Sequence, residues 1–333
     1  MFYPLFFFSY IIFFIVLQQN FTNKTKTTFG VLFFLAFSLI VIATLRPKTL
    51  PDYANYKIFY DYMGEDRFEI TAKVYRYISP SFLFFLLIYA ATSILLKMYA
   101  IKTNSEYVLL SVITYLATSF LLHDMIQIRV SSAIGLFLIS IKYLHEHKWL
   151  KYYFLILIAC FFHITAAVFF ILPLFASYKF NPFIWCVFIL FSYAIYFLHI
   201  DFLSICSSFL PKGSYYFITL INHADYEGLN VFNVNQILRI LIFLILTFNS
   251  KKLNSLEIIS LKIFAISIII LPFFSSLPII SYRISEMIGT IIIFVLPNIV
   301  SVFKKKSWGL LLFYIFVFMF FYLNNIHNFL AWQ

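Results

Sequence analysis

Apolar runs close to twenty residues long recur along the whole chain. They fall at about residues 2 to 19, 29 to 45, 80 to 99, 106 to 122, 125 to 144, 151 to 177, 182 to 200, 236 to 249, 257 to 276, 281 to 302 and 308 to 326. A bilayer's hydrocarbon asks for about twenty such residues in a helix, and only helices and closed barrels satisfy every backbone group there. Forty-six Phe against seven Gly and ten Pro, in continuous runs rather than dyad alternation, argue against an outer-membrane barrel. With 63% hydrophobic and 11% charged residues the chain is far from a soluble domain. The expected fold is all-α, a polytopic transmembrane helical bundle of about 10 to 12 membrane segments forming a single integral membrane domain over residues 1–333. The first run lacks a basic stretch before it and a small-residue cleavage site after it, so it reads as a retained helix rather than a signal peptide.

The net charge of +11 invites a nucleic-acid reading, but its placement argues for a membrane protein without a nucleic-acid partner. Lysines mark short connections at 24 and 26, 97 and 102, 142 to 151, 251 and 252, and 304 to 306. The positive-inside rule makes these cytoplasmic. Strict alternation from an outside N-terminus then puts Lys251 and Lys252 on the wrong side unless one segment fails to cross. Residues 151 to 177, interrupted by Cys160-Phe-Phe-His163-Ile-Thr and followed by Pro173, are the segment expected to be broken or re-entrant. Two longer polar loops, residues 46–79 and 201–235, then become periplasmic. In the first, Tyr53, Tyr56 and Tyr60 share one face of an expected amphipathic helix.

All six arginines, Arg46, Arg67, Arg76, Arg129, Arg239 and Arg283, avoid the lysine-marked loops. Orientation needs only positive charge, so arginine kept to the other side points to a planar anion such as phosphate or pyrophosphate. Arg129 stands inside an apolar run, where an unsolvated guanidinium costs at least ~2.5 kcal/mol, and Arg283 follows the break Pro272-Phe-Phe-Ser-Ser-Leu-Pro278. The plainer reading is that each snorkels or is neutralised, Arg283 by Glu286 at i,i+3 spacing. Three scattered cysteines form neither a disulfide framework nor a metal signature, and no Gly-rich phosphate loop, HExxH, Asp-x-Asp or GxSxG appears. No cofactor and no metal is expected.

Arginines with a few acids, histidines and tyrosines suit a transfer whose donor carries a good leaving group, because departing pyrophosphate needs positive charge more than a strong acid. Candidate bases are His163, Asp52, His223 and Asp225. Each has a structural alternative: His163 as a core histidine on a backbone carbonyl, Asp52 as a helix cap, Tyr53 and Tyr56 as an interfacial aromatic belt, Gln127 as a helix–helix hydrogen bond.

Pro-Asp52-Tyr53-x-x-Tyr56-x-x-Phe-Tyr, Gln127-Ile128-Arg129 followed by small residues, Ala159-x-x-x-His163-x-Thr165-Ala166 and a late Tyr282-Arg283 together resemble the EpsG-like branch of the Wzy-type O-antigen and exopolysaccharide polymerases. The resemblance spans roughly residues 45 to 290. It implies a glycosyltransferase of the bacterial inner membrane that joins undecaprenyl-pyrophosphate-linked oligosaccharides at the periplasmic face, with a chain-length regulator and a flippase as partners. By position, Arg129 and Arg283 would hold pyrophosphate, His163 would position or deprotonate the acceptor, and Asp52 with Tyr53 would line the entrance. The arginine motif of the family is often followed by a polar residue, where this chain has Val130. Tyr56, Gln127, His223, Asp225 and Glu286 complete the expected substrate-binding set, and Arg239 joins it on charge alone. A flippase of the same lipid-linked repeat and an O-antigen ligase are the alternatives.

Overall fold

The computed structural model describes residues 25–62, 70–177, 179–200 and 229–327. The chain is helical throughout these residues, with no strand among them. Helix starts follow local capping chemistry. Ser81 accepts from the Phe84 N–H to open α4 (Phe82–Asn104), and Asn254 and Glu257 form a reciprocal capping box at α10 (Ser255–Phe273). Pro182 and Pro278, whose missing N–H costs nothing in a first turn, open α8 (Pro182–Phe197) and α11 (Pro278–Gly289). The remaining principal elements are α1 (Thr25–Thr44), α2 (Tyr53–Tyr62), α3 (Ile70–Ile78), α5 (Val108–Thr118), α6 (Ile128–His145), α7 (Trp149–Phe162), α9 (Val234–Phe248), α12 (Ile292–Val295), α13 (Ile299–Val302) and α14 (Lys306–Phe321).

Five helical stretches among the described residues are long and apolar enough to span a bilayer. A sixth arises if α5 and the π-helical turn Phe120–Ile126, bent by 67°, count as one broken span. That is fewer than the 10 to 12 expected from apolar runs. Part of the difference is that the run at 2 to 19 lies outside the described residues; the rest comes from runs that form helices of only 10–17 residues. The run at 151 to 177 is the clearest case. It ends as an α-helix at Phe162, reverses at His163, and returns as a 3₁₀ helix, Ile164–Phe175. At about 2 Å per residue that return covers roughly 24 Å, slightly more than the roughly 21 Å of α7. Tyr152, near the start of α7, donates to the Phe169 carbonyl at 2.7 Å, and Phe137 of α6 stacks on Phe169 at 3.9 Å. Both ends of this run therefore lie at the same end of the bundle.

That end is the lysine end. His145 at the close of α6 meets Ser255 at 2.7 Å, Asn254 donates to Glu106 at 2.8 Å, and Lys252 donates to the Val302 carbonyl. Lys97 departs from the expected pattern: it is no loop marker but 0% exposed within α4, paired with Asp124 at 2.7 Å. A buried ammonium and carboxylate persist only when every remaining lone pair is satisfied. Asp124 also accepts from Ser93, Tyr115 and Ser131, each at 2.7 Å, so α4, α5, α6 and the π-turn meet at one carboxylate.

Helices α4 and α6 approach closely beside this cluster. A Cβ on Gly135 would stand 2.7 Å from Leu96 Cβ and 3.4 Å from the Ser93 carbonyl. Gly135→Ala is expected to force the two helices apart and lower stability by about 1–3 kcal/mol, read as an earlier thermal unfolding transition in detergent. An unchanged transition would show that the pair has slack at this contact.

Candidate active site

Four segments converge at the bundle end opposite the lysine loops. Helix α2 packs on the start of α4 through aromatic rings: Tyr53 meets Phe82 edge-on at 5.4 Å, and Tyr60 tilts against Phe82 and Phe85. Its buried face is Tyr56, Phe59 and Tyr60, so the tyrosine spacing makes a docking face for α2. Arg76 of α3 donates to the Tyr60 carbonyl and stacks on its ring at 4.1 Å, which ties α3 to α2. Arg46, just past α1, is buried and donates at 2.7 Å to the carbonyls of Ala43 and Met125. Burial lowers its guanidinium to about 10, still charged at neutral pH. Arg46 thereby pins the π-turn that leads to Gln127 and Arg129.

Between these segments lies a cavity of about 490 Å³, within the usual range for a ligand pocket. One wall is cationic and polar: Gln127, Arg129 and Val130 from the start of α6, His163 and Thr165 from the reversal, Arg283 and Met287 from α11. The facing wall comes from α2 and the residue before it: Asp52, Asn55, Tyr56, Ile58, Phe59 and Tyr62. Tyr56 hydrogen-bonds Arg129, whose guanidinium also lies 5.9 Å from the Tyr56 ring centre. Burial raises the Tyr56 phenol and the Arg129 charge opposes that rise, so Tyr56 stays neutral and its phenol oxygen, as acceptor, braces the arginine.

His163 sits in extended backbone, φ −159° and ψ 122°, between the two helices of the reversal. Its Nδ1 lies 2.6 Å from Thr165 Oγ1, and Thr165 Oγ1 lies 3.1 Å from Met287 Sδ. Both Arg129 and Arg283 act electrostatically on the ring. Asp52 is exposed in left-handed backbone at φ 64°, a conformation that Asp tolerates better than most residues. Its carboxylate accepts from Asn55 Nδ2 at 3.3 Å rather than from a backbone N–H, so it is not a side-chain helix cap.

Of the expected site residues, Asp52, Tyr56, Gln127, Arg129, His163 and Arg283 line this one cavity. Tyr53 does not line it; its ring is spent on Phe82. Arg239 and Glu286 line a different, smaller cavity. Glu286 hydrogen-bonds Tyr282 and forms no ion pair with Arg283, so the i,i+3 neutralisation is not made. The helical period explains this: Arg283 and Met287 share one face of α11, while Tyr282, Ser285, Glu286 and Gly289 share another. His223 and Asp225 lie outside the described residues. Asn55, Tyr62 and Met287 are cavity residues that charge and motif do not single out, and Thr165 was quoted in a motif without a role of its own. Among the described residues no three of His, Cys, Asp and Glu converge as metal ligands.

No curated protein and no solved structure matches the chain. The EpsG family, however, matches over residues 29–333, nearly the full length and including every residue of this cavity. The chain belongs to the EpsG family.

Proposed function

We propose that this protein is a surface-polysaccharide polymerase of the bacterial inner membrane. It moves the growing glycan from undecaprenyl pyrophosphate onto the non-reducing end of a new lipid-linked repeat. The observation that carries this reading is that Arg129, from the first turn of α6, and Arg283, from the second turn of α11, line one cavity with His163 and Gln127, facing an aromatic and amide wall on α2. Guanidinium forks suit the oxygens of a pyrophosphate, and tyrosine with asparagine suits sugar rings and hydroxyls. In the transfer an acceptor hydroxyl attacks the anomeric carbon, the bond from that carbon to the pyrophosphate oxygen breaks, and the acceptor's proton leaves to a base. The arginines hold the negative charge that the departing pyrophosphate gains, in place of a metal.

His163 is the base in this scheme. A chain from Nδ1–H to Thr165 Oγ1, and from its hydroxyl to Met287 Sδ, uses each hydrogen once and leaves the Nε2 lone pair for the acceptor. The Thr165 hydroxyl hydrogen goes to Met287 Sδ, which leaves Nδ1 as the donor to Thr165 Oγ1 and sets its hydrogen against the Thr165 N–H, 3.3 Å away. The arginine end of the bundle then faces the periplasm with residues 46–79 and 201–235, and the shorter apolar helices bring the membrane segments to about 10 to 12. A flippase would spread charge through the membrane depth, whereas these arginines collect at one end. A ligase would share the chemistry and differ in acceptor.

The experiment is polymerisation by purified protein from lipid-linked repeats, in detergent with excess EDTA. A ladder of products is expected. Thr165→Val, which keeps the shape but removes the hydroxyl that orients His163, is expected to slow the ladder by roughly ten- to a hundredfold at unchanged protein level. Single unextended repeats from the wild type would rule out the polymerase. Loss of activity in EDTA with recovery in magnesium would replace the arginine-only scheme with a metal.

A further inference from the structure

A lipid pyrophosphate can sit on the arginines only if its polyprenyl tail has a way out of the large cavity into hydrocarbon. Most of the elements that line the cavity offer none. Beyond Arg129, α6 is buried on every side from Ser131 to Leu138, and beyond Met287 the chain is buried without interruption from Ile288 to Val300. Helix α2, of ten residues, is too short to reach down the side of the bundle.

The reversal at His163 is different. Ile164, between the cavity residues His163 and Thr165, is 56% exposed. Ile164, Ala167 and Phe170, three residues apart, share one side of the 3₁₀ return because that helix has three residues per turn, and Ile171 and Leu174 continue the exposed row. Helix α7 supplies a second row. Tyr153 stacks on Phe170 with ring centres 5.8 Å apart, which fixes the register of the antiparallel pair. Three residues of 3₁₀ helix and four of α-helix each rise about 6 Å, so Ala167 stands level with Leu157, and Ile164 with Phe161. Leu157 and Phe161 are 49% and 45% exposed. The single methyl of Ala167, with large side chains above, below and across from it, leaves a furrow between the two rows. From Ile164 to Leu174 it runs about 20 Å toward the lysine end.

The head of the furrow is held by α3. Thr71 donates to the Phe161 carbonyl at 2.7 Å, a group that the end of α7 would otherwise leave unpaired in hydrocarbon. Exposed apolar faces occur elsewhere, as on α8 at Leu190, but α8 does not line the cavity. We propose that the furrow between α7 and the 3₁₀ return holds the polyprenyl tail of the lipid pyrophosphate, which leaves the arginine cavity past Ile164 and Ala167. The inference rests on reading the large cavity as the pyrophosphate site. Polar groups on one side of the break at His163 then take the head group, and the apolar rows on the other take the tail. Each isoprene unit carries a double bond that does not rotate, so ordering this tail in the furrow costs less entropy than ordering a saturated acyl chain.

The test uses the full-length protein in phosphatidylglycerol nanodiscs with two probes, inorganic pyrophosphate and undecaprenyl pyrophosphate. Ala167→Phe fills the furrow with a side chain that lipid tolerates. It is expected to weaken undecaprenyl pyrophosphate roughly tenfold and to leave inorganic pyrophosphate unchanged, while Leu190→Phe changes neither. Independently of that variant, p-benzoylphenylalanine in place of Ile171 is expected to crosslink undecaprenyl pyrophosphate far more strongly than the same group in place of Leu190. Excess inorganic pyrophosphate is expected to suppress that crosslink by competing for the arginines. Unchanged binding by Ala167→Phe, equal weakening of both probes, or equal crosslinking at the two positions, as bulk lipid contact would give, would overturn the tail route while the cavity keeps its assignment. Failure of the wild type to bind either probe would overturn that assignment and the tail route with it.

Discussion

Arg129→Ala is expected to slow polymer formation by roughly a hundredfold or more, the cost of removing one preorganised donor, about 3 kcal/mol, from a site where leaving-group charge develops. Arg129 sits partly buried at the first turn of α6, held by Tyr56, so its geometry is set before substrate arrives. Arg129→Lys is expected to lose most of the activity as well, since lysine keeps the charge but not the planar fork. Arg283 is exposed on its side of the cavity, where solvent screens charge, and Arg283→Lys is expected to cost less than the same change at Arg129. Lys251→Ala, at the opposite end of the bundle, serves as the control. The readout is the initial rate of ladder formation at matched protein level. Normal rates from both lysine variants would reduce these arginines to structural snorkels.

The second large effect is on stability and falls on a pair with no expected role in transfer. Asp124→Leu or Lys97→Met alone is expected to cost about 3–5 kcal/mol, because each leaves the other charge buried without its partner. The double variant is expected to recover part of that loss. It does not recover all, because the hydroxyls of Ser93, Tyr115 and Ser131 lose their common acceptor. Thermal unfolding of the purified variants in detergent checks the order: both singles lowest, the double between them and the wild type. A double variant no better than the worse single would show that the hydroxyl network, rather than the ion pair, dominates. Since Asp124 lies in the π-turn that precedes Gln127 and Arg129, a loosened turn is also expected to lower activity in the folded fraction.

Much of the site was readable from residue chemistry. A guanidinium in an apolar run has to face protein, water or an anion, and that alone selected Arg129 as a cavity residue; Arg283 was marked by the helix-breaking prolines before it, and His163 by its place at a break in an apolar run. The opposition of arginine and lysine ends was readable too, because lysine loops and arginine turns alternate along the chain. Other expected residues lie apart in the structure, where two residues of one type make different contacts. Tyr53 and Tyr56 are three apart on one helix, yet one packs on Phe82 and the other braces Arg129. Arg239 looked equivalent to Arg129 by charge, and Lys97 looked equivalent to Lys102 by position.

The sequence by itself determined that this is a helical membrane protein, where its apolar segments lie, and which polar groups are too costly to leave in hydrocarbon. Those are local and compositional properties, set by transfer free energies that a residue carries wherever it goes. Tertiary structure alone decided that residues 151 to 177 double back at His163, that Lys97 meets Asp124 across twenty-seven positions, and that α11 separates two polar cavities with Arg283 on one side and Glu286 on the other. These depend on which helix face meets which neighbour. A rotation of α11 by one residue, about 100°, would bring Tyr282 and Glu286 to where Arg283 and Met287 now stand while leaving its hydropathy and its helical propensity unchanged.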